Sequence, residues 1–230
     1  MSLQQVVPGV YQISFGFVSA FLIDDDGLTL IDTGISGKAP AILDGVRELG
    51  KQPQDLRSIV LTHLHMDHVG SAKAVQHASG ARVYMHPLDS VDYLKGRTSR
   101  PVQAAPGWLS RIVVSFMNNR KPSVMDVSTV DAALSDGQEL PFAGGLKVIH
   151  TPGHTAGHVS LLWPKQGGVL FVGDACGAMF GLGVSPIYED YAEGLRSLKK
   201  LGTFSFETAC PAHGKSLRGG ADDKFRAKWG

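Results

Sequence analysis

The apolar positions of this chain come in short blocks, and the spacing inside each block separates strand from helix. Residues 10–14, 17–23 and 28–32 alternate or run apolar, interrupted by Gly16 and by DDDG at 24–27, which predicts a strand meander turning at Asp26-Gly27. In GKAPAILDGVRELG, the residues Ile42, Leu43, Val46 and Leu49 share one helical face, and Gly50 supplies the stop. A strand at 57–62, a helix at 69–79 and a strand at 81–85 complete the first half. The second half repeats the style, with strands at 130–133, 138–140, 146–151, 158–163 and 169–173. A helix at 188–201 carrying Tyr188, Tyr191, Leu195 and Leu198 follows, then a strand near 207–210 and a terminal helix from about 218. Two such halves predict an α+β chain, a single domain over residues 1–230 in which two sheets face each other with helices outside.

The stretch between the halves is different. GRTSRPVQAAPGW reads as loop, after which Trp108, Leu109, Ile112, Val113, Phe116 and Met117 form a wide apolar stripe at helical spacing. Pro106 suits the helix start and NNRKP ends it. An inserted helical segment is therefore expected over about 96–124, as core, as a lid or wall of a substrate pocket, or as the surface of a homodimer.

Composition narrows the function classes. With 43% hydrophobic and 19% charged residues the chain is long and apolar enough for a sizeable core. A net charge of +1, with no run of Lys or Arg longer than two, argues against a nucleic-acid partner. Apolar stretches fall far short of the ~20 residues of a membrane span. The start, MSLQQVVPGV, lacks a basic region followed by a long apolar one, so no secretory signal and a cytoplasmic location are expected. Cys176 and Cys210 are too few for a disulfide scaffold and are expected to be buried, inert thiols.

The chemistry gathers at THLHMDHVG, residues 62–70. His63, His65 and Asp67 share one side of an extended backbone, and a turn into a helix at 67–70 swings His68 towards the same region. Imidazole and carboxylate together suit zinc, iron or manganese. Three further segments each place a ligand-competent residue at a strand end before a small residue: His154 in TPGHTAGH, Asp174 in VLFVGDACG and His213 in CPAHG. The set is more than one metal ion needs; two ions sharing a carboxylate would use it.

The motifs THLHMDH, GHTAGH, GDA and PAHG, in this order and together with TLIDTG at 29–34, resemble the metallo-β-lactamase superfamily over nearly the whole chain. His68 and Asp174 follow the glyoxalase II-like ligand pattern, whereas zinc lactamases of the common type use a cysteine ligand. The resemblance implies an αβ/βα four-layer sandwich with two divalent metal ions, zinc foremost and iron or manganese as alternatives, at one edge of the two sheets. It implies His63, His65 and His154 on the first ion, Asp67, His68 and His213 on the second, and Asp174 between them. The implied activity is hydrolysis of a small-molecule ester, thioester, lactone or related carbonyl by a hydroxide that bridges two metals about 3.5–4 Å apart. Asp67 is the expected catalytic carboxylate, anchoring the second metal and accepting a proton. The same scaffold supports an alternative, a mononuclear non-haem iron dioxygenase acting on a persulfide-type sulfur substrate through two histidines and Asp174. Asp32 is expected to orient a ligand from one shell out, and His158 to pack or hydrogen-bond near His154. His77, His86 and His150 are expected at the surface or satisfied in the core.

Overall fold

The structure is a computed structural model that describes residues 3–118 and 125–230. Strands β1 (Leu3–Val7), β2 (Val10–Ser14), β3 (Ser19–Asp24) and β4 (Leu28–Ile31) lead to helix α1 (Ala39–Glu48). Strand β5 (Leu56–Val60) runs through the short helix α2 (Met66–Val69) into α3 (Ala72–Ser79), and β6 (Arg82–Met85) runs into α4 (Pro87–Tyr93). Next come β7 (Gln103–Ala104), α5 (Trp108–Asn118), β8 (Ala132–Ala133), β9 (Glu139–Leu140), β10 (Leu146–His150), β11 (Val159–Trp163) and β12 (Val169–Gly173). Short strands β13 (Cys176–Gly177), β14 (Gly183–Val184) and β15 (Ile187–Tyr188) precede α6 (Tyr191–Leu201), β16 (Thr208–Pro211), β17 (Leu217–Arg218) and α7 (Ala221–Trp229).

Among the described residues, one large sheet has the order β1-β2-β3-β4-β5-β6-β8 and the other β17-β16-β12-β11-β10-β9, while β13 pairs with β14 and β15 with β7 in two-stranded sheets. Successive side chains of a strand point to opposite faces, so a fully apolar strand feeds two cores at once. Along β3, Ala20 and Leu22 pack with Ile42 and Val46 of α1 and Val75 of α3, whereas Phe21 and Ile23 face the second sheet. Along β12, Val169 and Phe171 meet Phe21 and Val60 between the sheets, whereas Leu170 and Val172 pack with Leu198 of α6 and Phe225 of α7. Three apolar layers therefore separate helices, sheet, sheet and helices, which is the αβ/βα four-layer sandwich. A one-residue slip of β12 against β16 (register Phe171↔Cys210) would exchange the inner and outer sets. Burying each large aliphatic or aromatic side chain is worth ~1.5–3 kcal/mol, so such a slip is strongly disfavoured.

Several elements differ from the sequence reading. The helix expected at 69–79 is two helices, because Gly70 and Ser71 turn their polar groups to another segment. The Gly70 amide donates to the Gly34 carbonyl at 2.9 Å, and the Ser71 hydroxyl donates to the Ile35 carbonyl at 2.7 Å. A Cβ on Gly70 would lie 2.4 Å from the Ser36 nitrogen, so only glycine lets the two segments approach. The helix expected from 188 starts at Tyr191, where the Asp190 carboxylate caps it by accepting from the Glu193 amide at 2.9 Å. Tyr188 instead lies in β15, fully buried, its hydroxyl donating to the Ala175 carbonyl. Strand β1 and helix α4 lack a clean apolar period and were not expected; β1 pairs with β2, and α4 buries only Asp89 and Tyr93. The terminal helix begins at Ala221, after β17 takes up 217–218. Helix α5 forms and lies against β7 and β15. Trp108 is 74% exposed and Ile112 56%, which rules out the core reading for both. The expected segment's residues 119–124 lie outside the described ones, as do the side chains of Leu109, Phe116 and Met117. Among the described residues no helix is long and apolar enough to cross a membrane.

Candidate metal centre

Strand direction brings the candidate residues together. β4 and β5 are parallel, as are β12 and β16, and β10 runs the same way as β12 through the antiparallel β11. The carboxyl ends of these strands lead to Asp32, to His63–His68, to the 151–158 loop, to Asp174 and to His213. Loops at the carboxyl ends of parallel strands are where open α/β sheets bind ligands.

Among the described residues, three groups of side chains could hold a metal ion: His63, His65 and His154; His63, His68 and Asp174; and Asp67, His68 and His213. Within each group the ligand atoms lie within 4.8 Å of one another. The His65 Nδ1 is 3.1 Å from the His63 Nε2 and 2.9 Å from the His154 Nε2. Asp174 faces three imidazoles, at 3.4 Å from the His68 Nε2, 3.4 Å from the His154 Nε2 and 3.2 Å from the His213 Nε2. Asp67 lies 3.3 Å from the His213 Nε2 and 3.8 Å from the His68 Nε2. All the residues that the motifs singled out thus converge on one place.

The far sides of the rings decide which nitrogens are free. The Thr62 hydroxyl donates to the Asp32 Oδ2 at 2.8 Å, so its oxygen accepts from the His63 Nδ1–H at 3.0 Å. The His68 Nδ1–H donates to the Asp32 Oδ2 at 2.8 Å. The His154 Nδ1–H donates to the Ile187 carbonyl at 2.9 Å, and the His213 Nδ1–H to the Phe17 carbonyl at 2.7 Å. Each of these four rings therefore turns its Nε2 towards the common centre, as a metal ligand must. The His68 Nε2 and the Asp174 Oδ1 are buried with no hydrogen-bond partner among the described residues, although they face each other. A buried polar atom without a partner is costly, and a cation between these atoms satisfies both. The residues present fit divalent metal ions.

Electrostatics divide the imidazoles into two sets. Burial pushes His63 well below its ordinary value, His65 down to about 4 and His154 down to about 3, so these three are neutral at pH 7. Burial would lower His68 and His213 as well, but Asp174 and Asp67 outweigh it. They hold His68 well above its ordinary value, helped by Asp32, and raise His213 to about 10. Burial opposes ionisation of Asp67 and Asp174, yet His68 and His213 keep both carboxyls below the usual range. One half of the centre is a nest of neutral nitrogen ligands. In the other half the Asp67 and Asp174 carboxylates face the His68 and His213 rings and favour positive charge there, a proton's or a cation's.

Asp32 sits as expected for an orienting group, accepting from the Thr62 amide, the Thr62 hydroxyl and His68. Its φ of +58° is unusual for a non-glycine residue and aims the carboxylate at both segments. His158 accepts from the Asp174 amide through Nε2 at 2.9 Å and pairs through Nδ1 with the Thr151 hydroxyl at 2.8 Å. It therefore fixes the backbone beneath Asp174 as well as packing beside His154. His77 is exposed, and His86 and His150 are half-buried and stacked on each other, 4.2 Å between ring centroids. Cys176 and Cys210 are buried and unpaired, and burial pushes both thiols up, Cys210 to about 12, so both are inert. Asp89, Arg100 and Glu189 were not singled out by any motif; they surround the ligand loops and have no spacing that would have revealed them.

A groove of about 780 Å³ opens beside His213, with Gln12, Phe17, Met179, Lys215 and Arg218 in its walls. The Phe17 ring stacks on that of His213, 5.9 Å between centroids.

A sandwich of this order with histidines and aspartates at the strand ends defines a class of metal-site proteins. The chain belongs to the metallo-beta-lactamase superfamily, whose sequence profile matches residues 13–213. It is 29% identical over 175 residues to the probable metallo-hydrolase YflN of Bacillus subtilis, covering 74% of this chain and 65% of that protein. It is 29% identical over 201 residues to a hydroxyacylglutathione hydrolase of Cereibacter sphaeroides, covering 84% of this chain and 61% of the relative. Among solved structures, a B3 metallo-beta-lactamase with an active-site glutamic acid aligns over 100% of this chain and 90% of its own, with a TM-score of 0.76 and 21% identity, a likeness of fold.

Proposed function

We propose that the chain is a metal-dependent hydrolase of an ester, thioester, lactone or related carbonyl compound, and that it uses two divalent ions, zinc foremost. In this reading His63, His65 and His154 hold one ion, Asp67, His68 and His213 the other, and Asp174 serves both. The observation that carries the reading is the second cluster. A single ion on the three neutral histidines would leave Asp67, His68 and His213 converging within 4.8 Å for no purpose. The names of the metallo-hydrolase and hydroxyacylglutathione hydrolase relatives support the same chemistry.

Divalent ions bound there would polarise a substrate carbonyl and acidify water towards neutral pH. The chain's own groups do the rest. Asp174 supplies negative charge facing His68, His154 and His213, and Asp32 and the carbonyls of Phe17 and Ile187 hold the rings in the ligand tautomer. Asp67 is the more open of the two central carboxylates, with its side chain 28% exposed against 8% for Asp174. It is therefore the group placed to take a proton from water and pass it to solvent. Phe17 and Met179 give the neighbouring groove an apolar lip, suited to a substrate with a hydrophobic portion.

Elemental analysis of protein purified without added metal, followed by a screen of ester, thioester, lactone and phosphoester substrates, tests the proposal. Two ions per chain and turnover without dioxygen consumption are expected. One iron per chain with oxygen uptake would replace the hydrolase by the dioxygenase reading.

A further inference from the structure

Asp89 is not a candidate ligand, yet its side chain is fully buried on α4 and takes four donors. Its Oδ2 accepts from the Leu64 amide at 3.1 Å and from the Thr155 hydroxyl at 2.6 Å. Its Oδ1 accepts from the Gly157 amide at 2.9 Å and from the Arg100 Nη1–H at 2.9 Å. The three partners other than Arg100 are spaced among the ligands. Leu64 separates His63 from His65, Thr155 follows His154, and Gly157 precedes His158, which accepts from the Asp174 amide.

Four donors match the four lone-pair positions of an ionised carboxylate, and no other side chain of this size offers them. The approach is close: a Cβ on Gly157 would stand 2.6 Å from the Asp89 Cγ. Arg100 balances the buried charge and is itself held by Asp92 at 2.7 Å and Glu189 at 3.2 Å. Glu189 closes the circuit by accepting from the Ala156 amide at 2.8 Å, while its own amide donates to the His154 carbonyl at 3.2 Å.

We infer that Asp89, with Arg100 as its counter-ion, is a positioning residue of the metal centre. It joins the His63–His65 segment to the His154 loop and so sets the spacing of the three histidine nitrogens that would hold one ion. This rests on the metal-hydrolase reading above. A carboxylate that merely anchors α4 would need no bonds to the two ligand loops, whereas three of its four donors come from them.

The test uses the metal-loaded protein challenged with increasing dipicolinate, the metal retained per chain being read by elemental analysis and the fold by a thermal melt of the same sample. Thr155→Val deletes one of the four donors, and Thr155→Ser keeps it. Asp89→Asn replaces two of the accepting lone pairs with an NH2 group facing donors. Thr155→Val should lose metal at about 10-fold less chelator than the wild type and Asp89→Asn at up to about 100-fold less, with Thr155→Ser close to the wild type. If Thr155→Val retains metal as well as Thr155→Ser and the wild type, whether or not its melting temperature falls, the positioning role is wrong and Asp89 merely fastens α4. If Asp89→Asn does not fold, the Thr155 pair decides alone. A wild-type chain that takes up no metal would overturn both this inference and the hydrolase reading; a wild type that loads normally beside unaffected variants overturns this inference only.

Discussion

An imidazole binds a cation only through a nitrogen free of its proton, so the partner behind each ring matters as much as the ring. In this chain those partners are the Thr62 hydroxyl, Asp32 and two main-chain carbonyls, each fixing one tautomer. His63→Ala and His154→Ala should each lower bound metal and abolish turnover, because each removes one of three converging nitrogens. Full activity in either variant after metal reconstitution would contradict the hydrolase reading. Asp174→Asn should be more damaging than Asp32→Asn. Asp174 faces three rings within 3.4 Å, while Asp32 acts behind His63 and His68. Asp32→Asn is expected to cost ~10–100-fold in metal affinity or kcat/KM. The ligand assignment fails if Asp32→Asn proves worse while Asp174→Asn keeps its metal.

At the scale of elements, two features matter: one shapes the centre, and the other is proposed as a wall of the substrate pocket. Helix α2 carries Asp67 and His68 and is short because Gly70 must pass close to the loop at 34–36. Gly70→Ala places a methyl group against main-chain atoms that cannot rotate away, and overpacking of this kind costs ~1–3 kcal/mol. A lowered melting temperature and weaker metal retention should appear together, since α2 must shift to make room; unchanged values for both would show that the loop yields freely. Helix α5 is the other feature. Truncating a buried Trp would cost ~3–5 kcal/mol, but Trp108 is 74% exposed, and surface changes usually stay within ~0.5 kcal/mol. Trp108→Ala should therefore leave the melting temperature and metal content nearly unchanged while raising KM or changing substrate preference. Unchanged kinetics across the substrate screen would remove α5 from the pocket.

At the scale of the whole molecule, β3, β4, β5, β10 and β12 each contribute side chains to two of the three cores. That sharing supports reading the chain as one cooperative domain, and near- and far-UV circular dichroism should report the same melting transition. Chelation should lower that transition yet leave the far-UV signal, because the cores are built from apolar side chains rather than from metal bonds. A ligand at a hundredfold excess over its Kd stabilises by ~2.7 kcal/mol, which sets the scale of the expected shift. Loss of the far-UV signal on chelation would mean that the metal organises the sheets. The sequence alone determined the apolar strands and the identity of the metal-competent residues, since short apolar runs between turn residues and the spacing from His63 to His68 are local properties of the chain. What it could not determine is written in hydrogen bonds between distant segments. The Asp32 carboxylate reaches Thr62, 30 residues on, and Asp89 reaches Leu64 and Gly157 across 25 and 68 residues. The break between α2 and α3 depends in the same way on the loop at 34–36. A carboxylate's role depends on which donors the fold brings to it, and only packing the sheets together decides which donors those are.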